Sequence, residues 1–351
     1  MIWFYAGFVL FVIVMLTLDL GVFHRKAHVV DIREAMGWSA FWISLALLFT
    51  VFVYFGYENH WHGLGLQIDP VDGLVNSGHT ASLKYLTGYL IEESLSMDNL
   101  FVIAMILSFF AVPALLQHRV LFWGILGALV LRGLMIAIGA GLVSRFHWVL
   151  YFFGAFLVFT GVRMLFMKEG EENLEENLIV RLSRRFFPVS TFLYGHHFVV
   201  RSGSAQAARP DGGGVDPVMA SLRPGLWVLT PLALALMVVE TADVVFAVDS
   251  IPAIFAITAD PFLVFTSNIF AILGLRSLFF ALAGLMRKFR YLKVSLSVIL
   301  TVVGLKMLCA EWLRGLLGAH FNLYLLAVVL LILAGGVVAS LIASPPDEPG
   351  A

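Results

Sequence analysis

Charge is the scarcest feature of this chain. Of its 351 residues, 13% are Asp, Glu, Lys or Arg and 60% are hydrophobic, and the mean hydropathy is +0.94. A soluble protein of this length has no way to bury so much apolar surface, so the composition describes a polytopic membrane protein. A net charge of −1 offers nothing to hold a polyanion, which argues against a nucleic-acid partner. Cysteine is nearly absent. Cys309 stands alone in an apolar run, so there is no disulfide framework and no thiolate metal site, and it reads as a small buried hydrophobe. No His-Glu-x-x-His pair, no phosphate-cradling glycine loop and no Gly-x-Gly-Asp pattern occurs, so zinc hydrolase, ATP-driven pump and intramembrane aspartyl protease all lack support. The expectation is a protein that is not an enzyme and carries no bound cofactor. The N-terminus has no basic n-region and no small-residue cleavage site after its first apolar run, so no cleavable signal is expected.

Long apolar runs are what the chain has instead. A helix needs about 20 apolar residues to cross the hydrocarbon. Nine spans meet this, at 2–20, 38–56, 83–111, 120–142, 148–167, 225–257, 262–285, 294–313 and 320–343. The third and sixth are too long for one straight crossing. The expected fold is all-α, a bundle of about nine transmembrane helices with helices three and six interrupted.

Basic residues orient the bundle. With the N-terminus outside, the inner loops hold Arg25, Lys26, Arg33, Arg119, Lys168, Arg181, Arg184, Arg185, Arg201, Arg209, Arg223, Arg287, Lys288, Arg290 and Lys293. The outer loops hold only Lys84, Arg145 and Arg314. Fifteen against three places the N-terminus in the periplasm and the C-terminus in the cytoplasm. In the cytoplasmic loop 168–224, residues 168–187 read as a surface helix and 201–217 as a flexible glycine linker. The tail 344–351 reads as disordered. The outer loop 57–82, with His60, His62, Asp69, Asp72 and His79, reads first as a solvated polar loop and second as a cation funnel.

Three anchors recur in order. Leu131-Arg132-Gly133-Leu134 resembles Leu275-Arg276-Ser277-Leu278, and Gly161-Val162-Arg163-Met164-Leu165 resembles Gly304-Leu305-Lys306-Met307-Leu308. Asp98 precedes Arg132 by 34 residues, and Asp243 precedes Arg276 by 33. Residues 83–167 and 225–313 therefore read as two copies of a three-helix unit, of opposite orientation because span three runs inward and span six outward. Inverted repeats with broken helices at the midplane are a transporter architecture.

Six carboxylates lie within the third and sixth spans. One cluster is Glu92, Glu93, Ser94, Ser96, Asp98 and Asn99; the other is Glu240, Thr241, Asp243, Asp249 and Ser250. Each mid-membrane charge costs about 2.5–3.5 kcal/mol even on the lenient insertion scale, so the default reading is a site for a cation or for protons. Hard oxygen donors suit Mg²⁺, Mn²⁺ or Ca²⁺. The candidate metal ligands are Glu92, Asp98, Asn99, Glu240, Asp243 and Asp249. On a regular helix Glu92 and Asn99 share a face, Asp98 points elsewhere, and Asp249 faces away from Glu240. An unwound segment would gather them, and Pro252 stands where it would break the hydrogen-bond ladder. Glu93 is expected to lie outside the ligand set. Arg132 and Arg276 are candidate gating residues or counter-ions: either they neutralise the acids when no ion is bound, or they form static ion pairs. Arg163 and Lys306 are expected to snorkel to the interface, and Asp19 to end its helix there.

The segments Leu18-Asp19-Leu20-Gly21-Val22-Phe23-His24-Arg25-Lys26-Ala27-His28, Glu92-Glu93-Ser94-Leu95-Ser96-Met97-Asp98-Asn99 and Glu240-Thr241-Ala242-Asp243 through Asp249-Ser250-Ile251-Pro252-Ala253 resemble the TerC family of integral membrane proteins. That family is named for tellurium resistance and includes alkali-inducible members. The resemblance covers nearly the whole chain. It implies a multi-pass protein of the bacterial inner membrane, in a family linked to manganese export, with the family's acidic residues at Glu92, Asp98, Glu240, Asp243 and Asp249. The linker at 200–217 departs from the pattern. The expected partners are the metal ion and the bilayer. A reading of another class, a membrane scaffold that loads metal onto secreted proteins or helps insert them, follows from the charged loop 168–223.

Overall fold

The computed structural model describes residues 2–18, 31–146, 148–166, 187–203, 216–283, 291–309, 312–313 and 321–342. Asp19, the expected surface helix over most of 168–187, the glycine run of the linker and the tail lie outside them. Among the described residues the architecture is all-α, with nine long helices where nine spans are expected. They are α1 (Ile2–Leu18), α2 (Ile32–Glu58), α3 (Gly78–Phe109), α4 (Ala114–Arg145) and α5 (Trp148–Phe166), followed after a small module by α7 (Pro231–Phe255), α8 (Pro261–Ala283), α9 (Leu292–Leu308) and α10 (Phe321–Ile342). Five of them, α2, α4, α5, α7 and α8, are long and apolar enough to cross a membrane.

Helix ends follow local chemistry. Ser77 accepts a hydrogen bond from the Thr80 amide and Thr230 from the Ala233 amide. The Asp260 carboxylate accepts from the Phe262 and Leu263 amides, and Pro231 and Pro261 open their helices, where a missing N–H costs nothing. Helices three and six differ from expectation: α3 and α7 are not interrupted. They run continuously through their acidic segments. Pro252 lies in the last turn of α7, so its lost hydrogen bond ends the helix three residues later and leaves the middle intact.

The central helix is α8, with 89% of its spanning window buried. It runs alongside α3, Gly88 meeting Ser267 and Gly274 meeting Glu93, so the two helices are parallel. In the same way α4 lies parallel to α7, through Gly124 against Val239 and Gly127 against Glu240. The tightest pairing is α5 with α9. A Cβ on Gly304 would stand 2.7 Å from the Gly154 carbonyl oxygen, and one on Gly161 would stand 2.8 Å from that of Ser297. Glycine is required there because backbone meets backbone, and the two contacts make this pair antiparallel. Helix α1 joins through aromatic rings, Phe8 packing on Phe49, Phe262, Phe265 and Phe270.

The module between α5 and α7 is the only sheet among the described residues. Strands β1 (Val199–Arg201) and β2 (Trp227–Leu229) pair antiparallel beside a short helix, α6 (Pro217–Ser221). Asp216 is buried and binds the amides of Thr191 and Val218. Both ends of the expected linker are therefore structured. Three further readings change. Cys309 is exposed at the end of α9. Lys306 does not snorkel: it is buried and donates to the Ala256 carbonyl, at the C-cap of α7, where helical carbonyls lack a partner within the helix. The outer loop is not solvated at its centre, where Asp69 and Lys84 are buried together.

Candidate functional site

Arg132 joins the two acidic clusters. It is fully buried, and Gly133 and Gly127 leave its stretch of α4 open to close approach from α7 and α8. Its Nη2 donates to Asp243 Oδ1 at 2.9 Å and its Nε to Asp243 Oδ2 at 3.3 Å, while Nη1 donates to Glu92 Oε1. One guanidinium thus serves a carboxylate from α3 and another from α7. The planar fork of arginine makes this possible; a lysine ammonium could not present two parallel donors to one carboxylate. Two acids against one cation leave an excess of negative charge in a membrane interior.

Several buried polar atoms of the two clusters also lack partners. Glu92 Oε2 and Glu240 Oε2 have no hydrogen-bond partner, nor do Ser96 Oγ, Asn99 Nδ2 and Ser250 Oγ. Buried polar groups without protein partners are uncommon in folded proteins, so these atoms mark hydrogen-bonding capacity that the protein itself leaves over. Glu240 packs directly on Gly127, where a Cβ would come within 2.1 Å of its carboxylate. Asp249 stands apart. Six residues beyond Asp243 on α7, it accepts a 3.5 Å bond from Thr160 of α5. Asp98 belongs to α3, and its side chain lies outside the described residues. Arg276 is buried in α8. Arg163 is exposed on α5, in keeping with an interfacial position. Among the described residues no three Asp, Glu, His or Cys side chains converge to hold a metal, because the guanidinium of Arg132 stands between Glu92 and Asp243.

Glu93 is buried and its Oε2 has no partner. It faces α8 at Gly274, about 100° around α3 from Glu92. Sequence reasoning missed the polar triplet Thr266-Ser267-Asn268, fully buried in α8, where Asn268 Oδ1 is also unpartnered. The signal was available: three consecutive polar residues inside an apolar span. It also missed the buried network around Lys84.

These features define an integral membrane protein, all-helical and multi-pass, with an ionic site in its interior. The profile of the family described as "Integral membrane protein TerC family" matches residues 77–348. The chain belongs to the TerC family. An uncharacterized membrane protein of Myxococcus xanthus is 47% identical over 340 residues, covering 97% of this chain and 92% of that protein. A protein of Escherichia coli K12 named "Putative membrane-bound redox modulator Alx" is 43% identical over 309 residues, covering 88% and 86%. An uncharacterized membrane protein of Rickettsia felis is 35% identical, covering 93% and 94%. No solved structure matches.

Proposed function

We propose that the protein is a secondary transporter that exports a divalent metal ion, Mn²⁺ first among candidates, across the bacterial inner membrane. The observation that carries this reading is Arg132, buried between Glu92 of α3 and Asp243 of α7 with Glu92 Oε2 and Glu240 Oε2 left over. A guanidinium between two carboxylates is a tethered cation in the place a mobile one would take. When a divalent ion binds, Arg132 gives up its partners; when the ion leaves, it returns. Such exchange keeps the acids compensated throughout, as an intramembrane site requires. The ligand set is Glu92, Asp98, Asn99, Glu240, Asp243 and Asp249, with Arg132 and Arg276 as counter-ions. The ion is cargo and not a resident cofactor.

The packing supports an inverted repeat of 83–167 and 225–313, joined by the loop 168–224. Gly154 and Gly161 stand seven residues apart, as do Ser297 and Gly304. Aligning Gly161 with Gly304 aligns Gly154 with Ser297, and the contact of Gly154 with Gly304 then maps onto that of Ser297 with Gly161. The pairing of α3 with α8 maps likewise onto that of α7 with α4. Reciprocal contacts of this kind are what a two-fold axis between the units produces. The excess of Lys and Arg in one set of loops supports a periplasmic N-terminus and a cytoplasmic C-terminus.

The redox role in the name of some relatives would need chemistry other than a thiol pair, since one cysteine cannot close an intrachain disulfide. The test is flux of Mn²⁺, Ca²⁺, Mg²⁺ and Zn²⁺ into liposomes holding purified protein. Metal flux that falls in Asp243→Asn supports transport. A protein that carries no ion under any gradient, yet is needed by cells for secreted metalloproteins, is a scaffold.

A further inference from the structure

The loop between α2 and α3 folds onto the far side of the bundle. It leaves α2 through a left-handed turn, with positive φ at His60, His62, Gly63 and Gly65. Its fastening converges on two side chains. Asp69 Oδ1 accepts from the Ala259 amide at 3.0 Å, and Oδ2 from the Thr258 hydroxyl and from Lys84 Nζ at 2.8 Å. Asn76 accepts from Lys84 Nζ at 2.6 Å and donates to Asp260 at 3.5 Å. Asp72 takes the remaining side of the ammonium at 2.7 Å. Lys84 is therefore caged by three oxygens from the loop, and the loop is tied through Asp69 and Asn76 to the turn 256–260 that joins α7 to α8.

Two features make this more than a static staple. Directly beneath the turn, α8 carries Thr266, Ser267 and Asn268, all buried, with Ser267 against Gly88 of α3. Farther along the same interface Gly274 meets Glu93, and Glu92 beside it reaches Arg132. Polar side chains thus punctuate the α3–α8 seam at two levels, Ser267 nearer the loop and Glu93 next in sequence to Glu92 of the ionic site, with Tyr85 packed on Phe270 in the same seam. Lys84 and Glu92 also lie eight residues apart on one continuous helix, so any tilt or rotation of α3 would displace both. The opposite end of the bundle is covered differently. There the segment preceding α7 meets the start of α4, where the Arg119 guanidinium lies over the Phe198 ring and Leu193 and Phe198 pack on the apolar cluster that includes Leu107 and Val112. Each three-helix unit thus has its leading segment seated against the other unit, one by hydrogen bonds to a turn and one mainly by hydrocarbon.

We propose that the 64–77 loop is a cap over one end of the polar seam, latched by Asp69 to the α7–α8 turn and released by movement of Lys84. The inference rests on the transport reading for its purpose, but not for its test. With Cys309→Ser as background, Ser267→Cys reports access to the seam. In detergent-purified protein the latched cap keeps this thiol slow toward a small polar maleimide. Thr258→Val, which removes one fastening bond, and Asp69→Asn, which removes the charge, each speed labelling by about tenfold, the response to losing a buried hydrogen bond. Arg201→Ala, in the module at the other end, leaves the rate unchanged. Labelling in Thr258→Val within about twofold of background, with an unchanged melting profile, overturns the cap. Metal flux is then compared in liposomes before and after Val71→Cys and Ala259→Cys are bridged by a short bis-methanethiosulfonate, which joins each thiol through a reducible disulfide. Flux lost on bridging and regained on reduction supports the gate, and equal flux in both states overturns it. If the unmodified protein carries no metal, the transport reading falls while the labelling rates still decide the cap.

Discussion

Arg132 of α4 holds Asp243 of α7 through two hydrogen bonds, at 2.9 and 3.3 Å, and spends its remaining nitrogen on Glu92 of α3. Removing one partner of a buried ion pair costs about 3–5 kcal/mol, because the abandoned charge stays buried. Arg132→Met abandons two. It is expected to destabilise the detergent-solubilised protein by at least that amount, and Arg132→Met combined with Asp243→Asn to recover part of the loss. Chemical unfolding of the wild type, both single variants and the pair measures the coupling. Strict additivity in that cycle would show that Arg132 does not compensate Asp243.

Gly127 offers a milder probe. A Cβ there overlaps the Glu240 carboxylate, but that carboxylate is the far end of a flexible chain and can swing away. Gly127→Ala is expected to leave the fold intact, with a loss of no more than about 1 kcal/mol, and to displace Glu240. If Glu240 is a ligand, Mn²⁺ affinity falls by about tenfold, the worth of one misplaced contact. Isothermal titration beside a melting curve separates the two effects.

Much of this was legible in the sequence, for physical reasons. Hydrocarbon allows only backbone structures that satisfy themselves, so apolar length alone located all nine long helices, four of them to within two residues at both ends and the rest to within six. Intramembrane charge is costly enough that Arg132 and Arg276 read as counter-ions to the two acidic clusters, although which acids Arg132 holds did not follow. Convergence was harder to foresee. Spacing on one helix suggested that gathering the acids required unwinding α3 or α7, whereas α4 supplies the common partner from outside. The Asp69–Lys84 network was hidden for a different reason. Polar loop composition is the same whether a loop is solvated or folded back, and only the turn at Thr258 and Ala259, 189 and 190 residues away, distinguishes them.

Glycine at the α5–α9 contact should be intolerant. At Gly304 and Gly161 the obstructing atoms are backbone, the Gly154 carbonyl at 2.7 Å and the Ser297 carbonyl at 2.8 Å, and neither can rotate aside. Gly304→Ala and Gly161→Ala are each expected to lower stability by about 1–3 kcal/mol through forced separation of the helices. Gly141→Ala in α4, where no atom lies within 4 Å of the new methyl, is the matched control and is expected to be neutral or slightly stabilising. Melting temperatures of the three variants give the comparison. Equal behaviour at positions 304 and 141 would refute the close packing.

Asp69 and Asp260 lie in one network, yet the same substitution should move stability in opposite directions. Burial pushes both carboxyls up. At Asp69 the Lys84 ammonium and the bonds from Lys84, Thr258 and Ala259 outweigh it and hold the group below its ordinary value. At Asp260 burial prevails, reinforced by the charge of Asp69 and offset in part by hydrogen bonds, so the group sits above its ordinary value. A depressed carboxyl contributes stability that is present above its unfolded pKa of about 3.9 and lost as pH falls through the folded value. A raised one contributes stability below about pH 3.9 that is lost as pH rises through its folded value, so ionised Asp260 is a cost at neutral pH. Asp69→Asn is therefore expected to lose roughly 3 kcal/mol at pH 7, a loss that shrinks only in strong acid. Asp260→Asn keeps an oxygen for the Phe262 amide and removes the charge, so it is expected to gain stability at pH 7 and to surrender the gain as the pH approaches about 4. Unfolding curves at pH 4, 5, 6 and 7 for both variants test the contrast. Loss of stability at pH 7 in both, with parallel pH profiles, would mean that Lys84 serves the two carboxylates equally.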